Sequence, residues 1–274
     1  MKAFVGFDKP KIPTNFKARM NEKFQAVLSW DPADEVGENG CYVDPETISY
    51  RVRFYDGGAW EWDTWRPIES GIHGTTWTDE TWEVGDTQVN KSYAIDASDG
   101  TSYSKMAHVE ILVGEPYAYP YLETFTGGAT DSNPWIMHAN SFNYAWSFEK
   151  ASLGYLQFSY KDYDSKNQRM QSPRVYIEGA KNPELSFYMK HGKDLDPGEL
   201  VLHVLANVDD NGWEEIGTVD FASKINGWAR HSFIVKQGNN FQFAFTGEAE
   251  DASAAIQIDN VQVDDVVLYD LNVE

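Results

Sequence analysis

Two oxygen-bearing side chains, Asp259 and Asn260, interrupt an alternating pattern close to the C-terminus. Apolar and polar residues alternate from 256 to 263, which is the period of a strand with one buried face. A carboxylate and an amide in the middle of such a strand have two explanations. They mark a bulge or edge that faces water, or they supply oxygen ligands to a hard cation. The pattern predicts the strand and leaves both explanations open.

Tryptophans supply a second kind of binding chemistry, because an exposed indole ring stacks on sugar rings or on apolar protein surfaces. Trp60, Trp62 and Trp65 lie close together in the chain. In a strand, Trp60 and Trp62 point to the same face. At least one of the three is expected near the surface, either as a ligand platform or as cover for a domain junction or edge strand. Trp213 follows a turn sequence and is expected at a loop tip, so the candidate ligand-binding residues are Trp60, Trp62 and Trp213.

Catalytic motifs are missing from the sequence, which contains no H-E-x-x-H, no G-x-S-x-G and no phosphate loop. The six histidines lie far apart without ligand spacing, and Cys41 has no identifiable partner. A carboxylate pair for glycoside hydrolysis could come from any two acids that folding brings together, so a hydrolase stays an alternative. The acidic runs at 162–167 and 209–212 are typical of solvated turns, with a second ion site as the alternative. We predict that the chain is not an enzyme.

Composition excludes several classes of function. Hydrophobic residues make up 42% and aromatic residues 15% of the 274 residues, which favours a packed core over disorder. The formal net charge of −21 repels nucleic acid and anionic membrane surfaces at long range. One cysteine allows no internal disulfide, and there is neither a secretory h-region at the start nor a membrane-spanning apolar run. The chain is therefore expected to be cytosolic or, as we favour, a piece of a longer exported protein, with residues 8–13 as an interdomain linker.

Short strand-like segments separated by turn residues predict an all-β chain with two domains. In the first part the segments fall at 24–30, 48–55, 60–65, 75–82, 91–97 and 108–113. Turn residues between them, such as Asp31-Pro32 and Gly71, give the spacing of a β-sandwich. Gly114-Glu115-Pro116 ends this set, and a second set runs to residue 270. The predicted domains are therefore 1–116 and 117–274.

The first domain carries a spaced set of residues: Pro13, Trp30 in VLSW, Tyr50 in ISYRVRFY and Tyr93 in SYAIDASDG. In this order they resemble a fibronectin type III domain, over about 100 residues. The resemblance implies that Trp30 packs between two sheets and that the Tyr93 hydroxyl bonds back to the chain at a corner. It also implies a spacer or interaction module.

The second domain contains YLETFTGG at 121–128, NPWIMHA at 133–139, SPRVYIEGAKNPELSFYMKHG at 172–192 and AIQIDNVQV at 255–263. The order and spacing of these pieces resemble the jelly-roll domains called cleaved-adhesin or choice-of-anchor domains, which are relatives of MAM domains. The resemblance implies a C-terminal jelly-roll sandwich with Trp135 and Trp146 in its core. It also implies an adhesin or glycan-binding part of a secreted or surface protein of Bacteroides-type bacteria.

The same resemblance implies a structural calcium ion. In such domains the closing strand places an Asp near the ion and the opening strand supplies a Glu, which are Asp259 and Glu123 here. The first and last strands of a jelly roll commonly lie side by side, so the two residues could meet. Further candidate ligands are Asn260, Asp131 and Asp265. Thr126 stands where the family often has an acid, which removes one ligand; the alternative is that Glu123 and Asp259 end strands and face water.

Together these observations predict a non-catalytic adhesion or carbohydrate-binding region of an exported bacterial protein, located outside the cell or on its surface. The expected partner is a glycan or a host or cell-surface protein, without nucleic-acid binding or membrane insertion. The alternative is that both domains are structural spacers of a larger secreted protease or glycosidase.

Overall fold

The computed structural model describes residues 8–55, 65–81, 88–126, 134–138, 144–149, 154–161, 163–191, 199–220, 227–249 and 255–266. The chain divides into two compact units, unit 1 (Met1–Glu115) and unit 2 (Pro116–Glu274). Both consist of antiparallel strands, with short 3-10 segments at Pro45–Thr47 and Tyr163–Asn167. The predicted all-β fold class is confirmed. Within the described ranges, no helix is long and apolar enough to cross a membrane.

Unit 1 is a sandwich of two antiparallel sheets whose inner faces share one core. One sheet has the order β1-β2-β5, from β1 (Lys17–Met20), β2 (Ala26–Ser29) and β5 (Thr76–Thr78). The other has the order β4-β3-β6-β7, from β3 (Ser49–Tyr55), β4 (Trp65–Ile72), β6 (Val89–Ser98) and β7 (Ala107–Val113). Trp30 lies in the core as predicted, 5% exposed, with its ring centroid 5.3 Å from that of Tyr50.

Two strands of unit 1 were missed by the sequence pattern. Strand β1 has alternating exposed and half-buried residues but no fully buried position, so it lacks a strong apolar period. Strand β4 contains Pro67, which a sheet tolerates at an edge, and β4 is an edge strand of its sheet. Gly71 was interpreted as a break between strands. It lies instead inside β4 with a φ of 72°, where the pairing of β4 with β3 shifts register.

The N-terminal residues 8–13 pack into unit 1, so the structure corrects their interpretation as a linker. Asp8 is 6% exposed. Its carboxylate accepts hydrogen bonds from the backbone N–H groups of Asn39 (2.7 Å) and Cys41 (3.1 Å). Pro10 and Pro13 are also buried. The prolines that looked like linker residues therefore stiffen a segment that the domain holds in place.

A buried network surrounds Tyr93 on β6. The Tyr93 hydroxyl donates to the Asp79 carboxylate at 2.5 Å, so it bonds to a side chain rather than to a backbone group. Asp79 is 2% exposed and also accepts from the Lys91 ammonium (2.8 Å) and the Thr81 backbone N–H (3.0 Å). Burial by itself raises the pKa of Asp79. The hydrogen bonds from Lys91, Thr81 and Tyr93 outweigh it and hold this pKa below its ordinary value.

Unit 2 is a second sandwich of two sheets. One sheet has the order β10-β11-β19-β14-β17, with β8 also paired to β19; its strands are β8 (Tyr121–Glu123), β10 (Trp146–Glu149), β11 (Tyr155–Ser159), β14 (Pro183–His191), β17 (Ala229–Ile234) and β19 (Ala255–Asp265). The other has the order β16-β15-β18-β12-β9, with β13 also paired to β18; its strands are β9 (Ile136–His138), β12 (Arg169–Gln171), β13 (Val175–Tyr176), β15 (Leu200–Val208), β16 (Glu214–Asp220) and β18 (Asn240–Ala249).

The core of unit 2 is dense in aromatic side chains. Phe241, Phe243 and Phe245 alternate along β18 and are each 0% exposed. Trp135 stacks near Phe245 with 6.5 Å between ring centroids, and Trp146 lies 6.4 Å from the same ring. The predicted core positions of both tryptophans are confirmed, with exposures of 9% and 2%. Because every second residue of β18 faces this core, the intervening residues form the outer face of the sheet.

A β-bulge at Asn260 explains the interruption in the closing strand. Ile258 and Val261 are both 0% exposed, although in a regular strand residues three positions apart point to opposite faces of the sheet. Asn260 has a φ of 49°, a left-handed conformation that asparagine tolerates better than most residues, and the pairing of β19 with β14 shifts register here. The extra residue keeps both halves of β19 directed toward the core.

We expect Asp79→Asn to lower the free energy of unfolding at pH 7 by about 2–3 kcal/mol, because hydrogen bonds to a charged group are lost or weakened. The Asp79 pKa lies below 3.8 in the folded state. The stabilising contribution of Asp79 is therefore complete above the unfolded-state pKa and is lost as the pH falls through the folded-state pKa. Urea unfolding at several pH values checks this. A difference between wild type and variant that grows below pH 4 would contradict it.

We also expect the pieces 1–116 and 117–274 to fold separately, because each unit contains its own buried core. Circular dichroism and urea unfolding of the two pieces provide the measurement. If neither piece gives a cooperative transition while the full chain gives one, the division into independent domains is wrong.

Candidate functional site

The outer face of the β16-β15-β18-β12-β9 sheet carries a group of polar side chains that includes two histidines, an arginine and two glutamines. We call it the polar face. Its main residues alternate with core residues: Gln242 lies between Phe241 and Phe243, and Arg169 and Gln171 flank the buried Met170. The face consists of His138, Arg169, Gln171, His203, Glu215 and Gln242, with Trp213 at its edge.

Backbone register aligns part of this face into one row. Arg169 lies opposite His138 on one side and Thr246 on the other. Thr246 lies opposite His203, and His203 lies opposite Thr218. Neighbouring strands are spaced about 4.8 Å apart, so the row across five strands extends roughly 19 Å. A row of hydrogen-bonding side chains of this length suits an elongated ligand better than a compact one.

Trp213 sits where the sequence placed it, directly after the turn between β15 and β16. The Arg169 guanidinium carbon lies 4.7 Å from the centre of the Trp213 ring, a cation–π distance. The indole is partly buried. Arg169 and Trp213 together form a flat, partly exposed surface beside the row. A planar guanidinium on an indole offers both a stacking surface and hydrogen-bond donors.

Other members of the polar face are oriented by hydrogen bonds. A ring nitrogen of His138 lies 2.9 Å from the Gln171 amide oxygen, and a ring nitrogen of His203 lies 2.8 Å from the Glu215 carboxylate. Gln171 and Gln242 are 6% and 3% exposed although their side chains lie on the side away from the core. Neighbouring residues therefore shield parts of this face, and polar groups held in such a place are pre-organised for a ligand.

Sequence reasoning found Trp213 and missed the rest of the polar face. Its members come from five strands separated by long stretches of sequence, and only the register aligns them. The available signal was the alternation of core phenylalanines with other residues in FQFAFT at 241–246, for example Phe241-Gln242-Phe243. That pattern identifies an outer face without showing which other residues share it.

The strands carrying the predicted calcium ligands lie side by side. Strand β8 pairs with β19 as expected, and Glu123 lies opposite Val261. Glu123 is 4% exposed and accepts a hydrogen bond from the Phe125 backbone N–H at 2.7 Å. Asp259 lies opposite Tyr188, which is 42% exposed. Burial raises the pKa of the half-buried Asp259 above its ordinary value. The two carboxylates thus lie on neighbouring strands in different surroundings.

Two of the other predicted ligands, Asp265 and Asn260, have hydrogen-bond partners of their own. Asp265 accepts backbone hydrogen bonds from Lys181 (2.9 Å) and Asn182 (2.7 Å), so it anchors a loop, and the bond from Asn182 leads in holding its pKa low. Asn260 is exposed and donates to Asp259. Asp131, Trp60 and Trp62 lie outside the described residues. In the part of the chain that the structure describes, no group of three or more His, Cys, Asp or Glu side chains could hold a metal ion.

Calcium takes six to eight oxygen ligands. Buried Glu123 and half-buried Asp259 have the right chemistry but supply only part of such a set, so the calcium site stays a prediction.

The acidic run at 209–212, the alternative place for a second ion, has carboxylates that are bonded to other parts of unit 2. Asp209 accepts from the backbone N–H groups of Asn239 and Asn240, and Asp210 pairs with the buried Arg174 at 2.9 Å. These carboxylates hold a turn in place, as the turn interpretation predicts.

Comparisons with known proteins give no family assignment. No family model matches the sequence, and no curated protein matches it. Similar solved structures include the FN3tt mutant, at 11% identity over 39% of this chain and 99% of that chain, with a TM-score of 0.30. They also include TmCBM61 in complex with β-1,4-galactotriose, at 12% identity over 48% and 89% of the two chains and a TM-score of 0.36. A third is the CBM22-1 xylan-binding domain from Paenibacillus barcinonensis, at 13% identity, 55% and 96% coverage and a TM-score of 0.35.

If calcium binds between Glu123 and Asp259, it should stabilise the folded chain by RT ln(1 + [Ca²⁺]/Kd), about 2.7 kcal/mol at a hundredfold excess over Kd. Thermal unfolding with calcium and with chelator measures this gain. Glu123→Ala and Asp259→Ala should each abolish it, whereas Asp265→Ala should keep it because Asp265 anchors a separate loop. An unfolding curve of the wild-type chain that calcium leaves unmoved after thorough chelation would show that the ion does not bind.

Proposed function

We propose that the chain is a non-catalytic glycan-binding protein and that unit 2 binds its ligand on the polar face. The observation that supports this most is the Trp213–Arg169 stack beside a row of hydrogen-bonding side chains across five strands. Sugars present apolar ring faces and many hydroxyl groups. Aromatic rings bind the ring faces, and amides, carboxylates and guanidinium groups bind the hydroxyls.

The polar face contains both donors and acceptors, as hydroxyl recognition requires. Arg169 supplies donors only, Glu215 and Glu248 supply acceptors, and the buried Gln171 orients His138. Glu248 lies 3.6 Å from a ring nitrogen of His203, which brings both acidic side chains to the same histidine. A ligand with closely spaced hydroxyls can therefore exchange its bonds to water for bonds to the protein.

The wider context belongs to the same proposal. We propose that the chain is part of an exported bacterial protein, acts in adhesion to a glycan-bearing surface or host protein, and carries a structural calcium ion in unit 2. The alternative is that both units are spacers in a larger secreted enzyme. The polar face favours the first proposal, because a pure spacer has no need for an oriented set of donors and acceptors on one sheet face.

We expect Trp213→Ala to weaken glycan binding by about tenfold, which corresponds to about 1.4 kcal/mol and to the loss of one stacked aromatic ring. A glycan array identifies the ligand, and calorimetry with that glycan measures the change. Stability should fall only slightly, because Trp213 is partly exposed.

Trp228→Ala is the matched control, because Trp228 is 41% exposed and directly precedes β17, which belongs to the opposite sheet of unit 2. It should leave glycan affinity unchanged. If no glycan on the array binds the full chain, the spacer function is favoured. The polar face is the wrong site if a glycan binds and both tryptophan variants lower the affinity for it equally. The same conclusion follows if only Trp228→Ala lowers that affinity.

A further inference from the structure

Unit 1 presents a second polar arrangement, on the outer face of its β4-β3-β6-β7 sheet. Arg51 and Arg53 are two residues apart on β3, so their side chains share one face. Both bind the same carboxylate. Arg51 donates to the two oxygens of Asp96 at 3.1 and 3.0 Å, and Arg53 donates to one of them at 3.0 Å. We call Arg51, Arg53 and Asp96 the arginine fork.

The arginine fork has more positive charge and more donors than Asp96 can use. Two guanidinium groups face one carboxylate that is 2% exposed. Arg53 also donates through Nη1 to the Trp65 backbone carbonyl at 3.0 Å. Among the residues that the structure describes, Nη1 of Arg51 and Nη2 of Arg53 have no hydrogen-bond partner. The side chains of Arg51 and Arg53 are 20% and 17% exposed, so part of each remains open to solvent.

Aromatic rings stand on both sides of the fork. Tyr103 is 53% exposed, and its ring centre lies 3.9 Å from the guanidinium carbon of Arg51. On the other side, Trp65 packs against Tyr55 and His108, with ring centroids 5.3 and 4.9 Å apart. The Tyr103 ring and the bonds to Asp96 orient the Arg51 guanidinium, and the bonds to Asp96 and to the Trp65 carbonyl orient that of Arg53, which reduces the ordering that binding requires.

The chemistry of the face identifies its ligand. Paired guanidinium donors in a fixed plane match a carboxylate, and flanking aromatic rings match the apolar faces of sugar rings. The chain carries a net charge of −21, so a dense polyanion is repelled at long range. An isolated acidic sugar in an otherwise neutral glycan avoids that repulsion.

We propose that the arginine fork of unit 1 binds the carboxylate of a single uronic acid residue within a mostly neutral glycan. This site is separate from the polar face and does not depend on its function. Asp96 acts as a positioning residue that aims the two arginines, and Tyr103 stacks on the adjoining sugar.

The test compares two probes that differ at a single carboxyl group: a xylo-oligosaccharide with one glucuronic acid branch, and its uncharged methyl ester. Calorimetry on the full chain should show that the acid binds about tenfold more tightly than the ester, because a charge-assisted bond is lost on esterification. Arg53→Gln should abolish this preference while Arg51 keeps Asp96 paired. Arg53→Lys should restore part of it, since the charge returns without the planar fork.

Two controls keep the result specific. Arg230→Gln removes an exposed arginine from unit 2, where it pairs with Glu184, and should keep the preference for the acid. Trp228→Ala, which removes an exposed aromatic ring from unit 2, should keep it as well. Equal affinity for acid and ester, or an unchanged preference in a folded Arg53→Gln variant, overturns the proposal. Equally tight binding of a poly-glutamate peptide overturns it in favour of an acidic protein segment.

Discussion

Each strand of a two-sheet sandwich has one face that belongs to the core, and this constraint organises the whole molecule. Side chains alternate along a strand, so burying one row leaves the other row free for other chemistry. The bulge at Asn260 shows how strictly the constraint is kept. The chain accepts a left-handed asparagine so that Ile258 and Val261 both reach the core. Without the bulge, half of the closing strand would direct its apolar side chains into water.

The same constraint explains where the candidate sites lie. The polar face of unit 2 and the arginine fork of unit 1 both occupy outer faces of sheets whose inner faces are packed. Sites built on strands are held more precisely than sites on loops, because the ladder hydrogen bonds fix each Cα position. The two sites differ in their supporting contacts. Arg51 and Arg53 are fixed by one buried carboxylate, whereas the polar face relies on pairs such as His138 with Gln171.

The buried charged side chains that the structure describes here are held by hydrogen bonds or by a charged partner. Asp79 receives bonds from Lys91 and Tyr93, and Arg174, 1% exposed, pairs with Asp210. Removing a charge from water is costly unless a partner and hydrogen bonds compensate. Many of the 43 acidic residues have local tasks of this kind, such as holding the turns that contain Asp209 and Asp265. The acidic composition of the chain therefore does not indicate which acidic residue, if any, binds a metal ion.

The sequence by itself determined the features that depend on neighbouring residues. Period-two alternation and turn residues identified the all-β fold and the turn that precedes Trp213, and the two family resemblances implied the core positions of Trp30, Trp135 and Trp146. Tertiary structure alone decided which distant residues share a face, because strand order and register cannot be read from local patterns. Only the register places Arg169 and His203 on either side of Thr246 in β18 and brings Arg51 of β3 opposite Asp96 of β6. Tertiary structure also decided that Asp265 bonds to the backbone at Lys181 and that residues 8–13 pack into unit 1, because these contacts involve segments far away in the chain.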